Sequence, residues 1–333
     1  MRMKKAVVLL MALGVLVSCQ KNPLKINISK IEIDFQFKSL DDELFAAKGD
    51  LSEKLPEIED SFGEFYKIFT QQMIRIGSTD NPETLEKLQS FLNDSVIIKV
   101  KRQTDELIDE DQIQKDFEQA FKHYHYYFPE KKIPDVYTCI SGFNQSIVVS
   151  EDLIGISLDK YLGDSEYYPQ LGIAKYKVKN MHPEKIVPDA MYAWALTDYP
   201  IKSEADKLIE HMIYKGKLMY FLDAMMPDVN DSIKIGYSAK QVEFCKNSEQ
   251  GMWTYLAEHK MLFSTKRMDI KRYVDDGPYT SNFTTDSPGR VGVWLGWQIV
   301  KAYMEKNPEV TLKELLENED YLKILNQSGY SPD

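Results

Sequence analysis

Apolar residues recur every three or four positions along residues 205–220, which is the spacing of one buried face of a helix. From Gly216 onward they surround the whole circumference, so this half is predicted to be buried on every side. Glu210 and His211 fall outside the apolar stripe, on the predicted polar side. The segment from Lys207 to Pro227 is therefore predicted to be one long helix.

Helical periods also fill the first part of the chain. Ser39 is placed to cap a helix over DDELF (residues 41–45), with Asp42 three residues after the cap. Aromatic residues have helical spacing within residues 57–77, and residues 84–107 mix helix and turn. One amphipathic helix is predicted over residues 106–129.

Two regions have the period of strands instead. Residues 31–37 alternate apolar and polar side chains, which predicts a strand. Short β-rich runs at residues 136–140, 146–149 and 153–158 predict two or three antiparallel strands with tight connections. After Gly163 the pattern is helical almost to the end.

These elements predict an α+β fold: one mostly helical domain with a small antiparallel or mixed sheet. The predicted organisation is a lipoprotein signal peptide at residues 1–18, an acylated cysteine and polar tether at 19–30, and a globular domain at 31–333. Composition agrees, because 43% hydrophobic and 12% aromatic residues supply a substantial core.

The compartment follows from the first residues. A basic start and an apolar run of about a dozen residues precede a cysteine, which is typical of a bacterial lipoprotein signal. Cys19 is the predicted lipidation site, and its acyl chains would anchor the protein to the membrane. Cleavage after residue 18 would change the net charge from −11 to −14, which argues against nucleic-acid binding. The sequence leaves open whether Cys139 and Cys245 form a disulfide or are free thiols.

No local spacing supports a metal site. A zinc helix needs two imidazoles four residues apart, but Lys215 stands four residues after His211 and Lys207 four before it. His123 and His125 are two apart and point to different sides of a helix. Neither a metal nor a cofactor is therefore predicted.

A second informative segment follows Asp286. Ser287 is predicted to cap a helix that has Pro288 at its first position and runs to about Lys306. Three glycines within it, Gly289, Gly292 and Gly296, are interpreted as close packing against another element; the alternative is a groove with Arg290 at its mouth. A capping box from Thr311 to Glu314 predicts the start of a last helix.

The lipoprotein start, the DDELF segment, residues 213–227 and residues 288–304 together resemble the gliding motility lipoprotein GldB family of Bacteroidota. The resemblance covers nearly the whole chain. That family is in turn distantly similar to zincin-type metallopeptidases, whose metal helix would correspond to residues 187–200, where this chain has no histidine. The resemblance thus implies a degenerate zincin-like fold with an empty cleft; the candidate cleft residues are Asp189, Tyr192, Lys215, Gly216, Tyr220 and Arg290.

The predicted function is that of a non-catalytic, periplasm-facing lipoprotein that serves gliding motility or the linked secretion machinery, with envelope proteins as partners. The sheet predicted at residues 136–158 is the candidate edge for an extended peptide. One alternative is an active hydrolase that uses Asp275, Asp276, Tyr279 and Asp286. Another is a cell-wall glycan-binding protein that uses Trp253, Trp294 and Trp297, although core packing explains these residues equally well.

Overall fold

Four short strands form a mixed sheet in this computed structural model, which describes residues 22–78, 81–202 and 204–332. They are β1 (Phe37–Ser39), β2 (Asp135–Cys139), β3 (Ile147–Ser150) and β4 (Leu153–Ser157), in the order β1-β2-β4-β3. The prediction of antiparallel pairing is correct only for β3 and β4, because β4 inserts beside β2 in parallel and pushes β3 to the edge. With 59% helix around this sheet, the predicted mostly helical α+β class is confirmed.

The segment before β1 is more tightly bound than predicted. Hydrogen-bonded strand is confined to Phe37–Ser39, because only there does the chain run beside β2. The alternating side chains of the predicted strand nevertheless face the core, and the Phe35 ring lies 5.1 Å from that of Phe121. Within the predicted tether, Leu24 also packs on the core and Lys25 pairs with Asp228. Residues 22–30 therefore lie against the body of the protein.

In the part of the chain that the structure describes, five helices separate β1 from β2: α1 (Leu40–Ala46), α2 (Leu51–Ile68), α3 (Pro82–Asn93), α4 (Ser95–Leu107) and α5 (Glu110–Tyr127). One π-helical segment, Phe69–Met73, extends α2. Ser39 caps α1 as predicted, since its Oγ accepts a hydrogen bond from the Asp42 amide at 3.4 Å. The helix predicted from residue 106 begins later, because the Asp109 carboxylate caps a new helix at the Gln112 amide.

Within residues 158–202 and 204–332 ten helices follow the sheet, as the pattern after Gly163 predicts. They are α6 (Tyr167–Gln170), α7 (Lys175–Val178), α8 (Ile186–Asp198), α9 (Leu208–Met225), α10 (Asp231–Ile235), α11 (Ala239–Glu258), α12 (Arg267–Val274), α13 (Val291–Lys306), α14 (Leu312–Glu317) and α15 (Tyr321–Ser328). Short 3₁₀ turns stand at Leu158–Lys160 and Pro183–Lys185. The capping box predicted at Thr311 and Glu314 is present.

Helices α9 and α13 cross in direct backbone contact. A Cβ atom built on Gly296 would lie 1.8 Å from the Met212 carbonyl oxygen, and one on Gly216 would lie 2.2 Å from the Gly296 carbonyl oxygen. The interpretation of the glycines as close packing is therefore confirmed at this crossing. As predicted, every residue of α9 from Gly216 to its end is buried.

The predicted start of α13 is wrong. The helix begins at Val291, three residues after Pro288, with Arg290 in the left-handed region at φ 51°. Ser287 does not cap it; the Ser287 hydroxyl instead donates to the Thr284 carbonyl oxygen at 2.7 Å. Hydrogen bonds within the preceding loop hold Ser287 in a non-helical conformation, so the helix starts later in the sequence than predicted.

The sheet separates two apolar clusters. One face packs with α1 and α2 around Phe65 and Cys139, and the other packs with α5, α8, α9 and α13 around Ile154 and Cys245. Both cysteines are buried and free, and they lie in different clusters. Of the two states left open by the sequence, the structure has the unpaired one.

Candidate functional site

A cleft of about 590 Å³ opens beside the edge strand β3. One wall is the start of β3 together with Tyr161 and Asp189, the latter from the first turn of α8. The opposite wall is the segment 172–181, which carries Lys177 and Asn180, and Asp276 closes the rim. We refer to this feature as the β3 cleft. It contains an unpaired strand edge and charged groups of both signs.

The backbone of β3 is available along one side. Ser146 and Ser157 are directly opposite and hydrogen-bonded, since the Ser157 amide donates to the Ser146 carbonyl at 2.9 Å. In an antiparallel pair such residues alternate with outward-facing ones. The N–H and C=O groups of Ile147 and Val149 are therefore directed away from β4, towards the free edge of the sheet.

A buried carboxylate shapes the loop that leads into β3. Asp159 has no exposed surface and accepts hydrogen bonds from the backbone amides of Ser141, at 3.3 Å, and Phe143. Gly142 and Phe143 both have positive φ, which these bonds stabilise. Burial raises the pKa of Asp159 to about 6, against the lowering effect of the two amides. The sequence indicated nothing about this residue, because its partners are only brought to it by the loop.

Asp189 is the cleft residue that most resembles a catalytic group. Its Oδ1 atom lies 2.8 Å from the Lys185 ammonium, and its Oδ2 atom accepts a 3.4 Å hydrogen bond from the Tyr161 hydroxyl. Burial, followed by the charge of Asp189, raises the pKa of Tyr161 well above its usual value. Tyr161 therefore keeps its proton. The arrangement suits recognition of polar groups better than proton transfer near neutral pH.

The six candidate cleft residues are brought together only in part. Burial lowers the pKa of Arg290, but nearby groups that include Tyr192 and Asp189 raise it, so these three residues lie close to one another. Asp189 lines the β3 cleft, and Arg290 lies behind its rim, where its Nε atom is 3.2 Å from Asp276 Oδ1. Tyr192 and Lys215 contact each other, with the ammonium 5.5 Å from the ring centre. The remaining two are in the helical packing: Gly216 touches Gly296, and Tyr220 is 8% exposed.

The Glu210–His211 pair has a structural explanation. Glu210 Oε2 accepts hydrogen bonds from the backbone amides of Asp206 and Lys207, both at 2.9 Å, and so caps the start of α9. His211 is half-buried, and burial lowers its pKa. The glutamate therefore holds the helix end, a role that the sequence analysis missed although Glu in the first turn indicates it.

The residues named for the two alternative functions are placed differently. The hydrolase candidates Asp275, Asp276, Tyr279 and Asp286 are exposed along one loop. Trp294 and Trp297 are 2% and 0% exposed, and their indole N–H groups donate to Glu249 at 2.9 Å and to Asp223 at 2.7 Å. Core packing therefore explains these two tryptophans, and they offer no flat surface for a sugar.

One cluster in the described chain has the ligand spacing of a metal site. The carboxylates of Asp41, Asp42 and Asp105 have ligand atoms within 4.8 Å of one another. The Lys101 ammonium contacts all three, at 3.2 Å from Asp41. Burial alone would lower the pKa of Lys101, but these carboxylates raise it, so the lysine stays charged. The protein thus supplies its own cation at the DDELF segment.

Comparison with protein families identifies the chain. A family described as gliding motility protein GldB matches residues 21–332, nearly the whole chain. The chain belongs to the GldB family. Searches of curated proteins and of solved structures gave no match. The resemblance drawn from the sequence is confirmed, and it includes the DDELF segment, α9 and α13 within the matched range.

Membership of this family indicates the general function of the chain. GldB proteins are a lipoprotein family of gliding motility, so this chain is associated with the cell envelope and with motility. No helix within residues 22–78, 81–202 or 204–332 is both long and apolar enough to cross a membrane. The predicted signal peptide and Cys19 lie outside the described residues.

Proposed function

We propose that this GldB-family protein is a lipid-anchored, periplasm-facing, non-catalytic protein that holds an extended segment of an envelope partner at the β3 cleft. The partner would belong to the gliding motility or linked secretion machinery. The single observation that carries the proposal is the free backbone edge of β3, where Ile147 lines a cleft of suitable size and Val149 continues the same edge beyond it. Strand addition to such an edge is a common way to bind a peptide.

The chemistry of the cleft supports peptide binding. Main-chain hydrogen bonds from Ile147 and Val149 would provide affinity for any extended backbone. The cations Lys160 and Lys177 and the carboxylates Asp189 and Asp276 all line the cleft and would select side chains by charge. A partner segment that carries charges of both signs fits this lining.

The absence of catalysis is supported by the residues at α8. The stretch of residues 187–200 has no histidine, and the carboxylate of Asp189 is neutralised by Lys185. The metal helix expected of an active zincin relative would need ligands on this stretch. We infer that this chain kept the cleft of its metallopeptidase relatives and lost the metal ligands.

The anchor would hold the body close to the bilayer. Two residues lie between Cys19 and Asn22, and these three steps along the chain span at most about 11 Å when extended. The next residues are fixed to the body through Leu24 and the Lys25–Asp228 ion pair. We infer that the end of the protein near Asp228 faces the membrane.

Strand addition is tested with Val149→Pro in the full-length lipoprotein. Proline removes the backbone N–H of residue 149, which is directed away from β4. The hydrogen bonds between β3 and β4 remain, because proline is tolerated on edge strands when its missing N–H would face outward. Partners that co-purify from native membranes should be lost with Val149→Pro and retained with Val149→Thr, which keeps the N–H. Equal recovery with both variants would contradict the edge as the binding site.

Catalysis is tested separately on the purified protein. The expected result is no stoichiometric zinc by elemental analysis and no cleavage of a peptide library. One tightly bound zinc per chain together with hydrolysis would show an active peptidase instead.

A further inference from the structure

A second concave surface lies away from the β3 cleft. It is a groove of about 570 Å³ between the end of α8, the first turns of α9 and helix α12. Its lining includes Leu196, Tyr214 and Ile270 as apolar groups. The charged lining residues are three cations, Lys215, Arg267 and Lys271, and two carboxylates, Asp206 and Asp275. We call it the α12 groove. Arg267 and Lys271 are four residues apart and so share one face of α12.

The chain segment that leads into α12 and forms one side of the α12 groove is basic in an acidic protein, so the cations of the lining outnumber its two carboxylates. The whole chain has 52 acidic and 41 basic residues, whereas residues 260–272 contain five lysines and arginines and one aspartate. That aspartate, Asp269, pairs with Arg272 at 3.1 Å. Across the described parts of the chain, no carboxylate forms an ion pair with Lys260, Lys266, Arg267 or Lys271. Four exposed cations are thus available to an outside anion.

Large apolar side chains stand among these cations. Met268 is 70% exposed and Phe263 is 55% exposed, more than any other large hydrophobic residue in the described chain. Both lie within the same basic segment. An exposed apolar pair next to a concave surface is typical of an interaction site.

The position of the α12 groove argues for a protein partner. The amides of Leu208 and Ile209, at the start of α9, donate to the carbonyls of Ser264 and Leu262 at 3.0 and 2.9 Å, so the basic segment lies at that end. The membrane-anchored segment pairs with Asp228, just beyond the other end of α9. The 18 residues of α9 span about 27 Å, so the groove is far from the anchored end.

We propose that the α12 groove binds an acidic peptide segment of an envelope protein. Carboxylates of the peptide would pair with Arg267, Lys271 and Lys215, and one or two large apolar side chains would contact Leu196, Phe263 and Met268. Charge complementarity sets the sign of the ligand, and the concave apolar lining favours a chain over a flat bilayer. The site is separate from the β3 cleft and goes beyond it.

The experiment uses a fluorescent twelve-residue peptide that alternates glutamate and leucine, with a glutamine–leucine peptide as the neutral probe. Anisotropy titration of the purified protein should give saturable, salt-sensitive binding of the acidic probe alone. Arg267→Glu combined with Lys271→Glu should weaken binding about tenfold. The matched control reverses two exposed lysines elsewhere, Lys99→Glu with Lys115→Glu, and should change affinity by less than about twofold.

Several results would overturn the proposal: no saturable binding, equal binding of the neutral probe, or equal loss in the control variant. Binding to phosphatidylglycerol vesicles without binding of the acidic peptide would assign the surface to a membrane instead. Val149→Pro should leave the anisotropy titration unchanged. Failure here is therefore distinguishable from failure at the β3 cleft.

Discussion

Single carboxylates that are buried or half-buried organise this protein more than its histidines do. Asp159 holds the loop before β3, Glu210 caps α9, and the Glu110 Oε2 atom accepts a 2.6 Å hydrogen bond from the Thr138 hydroxyl. None of them is marked by a catalytic motif. Each can be recognised only when its backbone or side-chain partner is known, so residue-level function was the least predictable from the sequence.

Glu110 makes stability depend on pH. Burial, followed by the charge of Asp41, raises the pKa of Glu110 from 4.5 to about 7. Between these values the folded state holds a proton that the unfolded state has released, so the free energy of unfolding falls as pH rises through this window. In Glu110→Gln the fall between pH 5 and 8 should be smaller by on the order of 1 kcal/mol.

Urea unfolding at several pH values measures this difference. Glu86→Gln, a change at an exposed position of α3, serves as the control and should keep the pH dependence of the unchanged protein. An identical pH dependence for Glu110→Gln would show that Glu110 is ionised throughout this range.

At the scale of elements, the crossing of α9 and α13 is the best predicted feature. The apolar circumference of α9 and the glycines of α13 both indicated tight packing before any contact was known. The start of α13 and the length of β1 were predicted less well. The residue at which a helix starts depends on which of several competing capping hydrogen bonds forms. The residue at which a strand ends depends on where its neighbouring strand ends.

The crossing predicts a large effect for one methyl group. Gly296→Ala would place a Cβ atom against the Met212 carbonyl, so the two helices must separate. Thermal or urea unfolding should show a loss of about 3 kcal/mol in the free energy of unfolding.

Gly251→Ala is the matched control for this change. Gly251 lies within α11, and a Cβ atom there would have no neighbour within 4 Å. Alanine should raise the free energy of unfolding by about 0.5–1 kcal/mol, because glycine loses more backbone entropy in a helix. Similar losses in both variants would mean that the contact with Met212 does not limit the crossing.

At the scale of the whole molecule, the sheet divides the interior into two apolar clusters, one on each face. Cys139 belongs to one and Cys245 to the other. Because neither thiol is exposed, both should resist a thiol reagent in the native protein and react together on unfolding. Burial also raises the pKa of both thiols, which lowers their reactivity further.

Mass spectrometry after labelling checks this expectation. Cys139 and Cys245 should gain no label in the folded protein and one label each in denaturant. One label in denaturant, or a native mass that indicates a disulfide, would contradict the separation of the two cysteines.

The sequence by itself determined the family, the mostly helical fold and the buried course of α9, because these follow from local periods and motifs that the chain carries in order. Tertiary structure alone decided that β4 inserts between β2 and β3, which leaves β3 at the edge. It also decided that Asp189 lies in the β3 cleft while Lys215 lines the α12 groove. The order of the strands and the lining of a cleft depend on contacts between residues that are far apart in sequence. The spacing of residues along the chain does not indicate which of these distant groups come into contact.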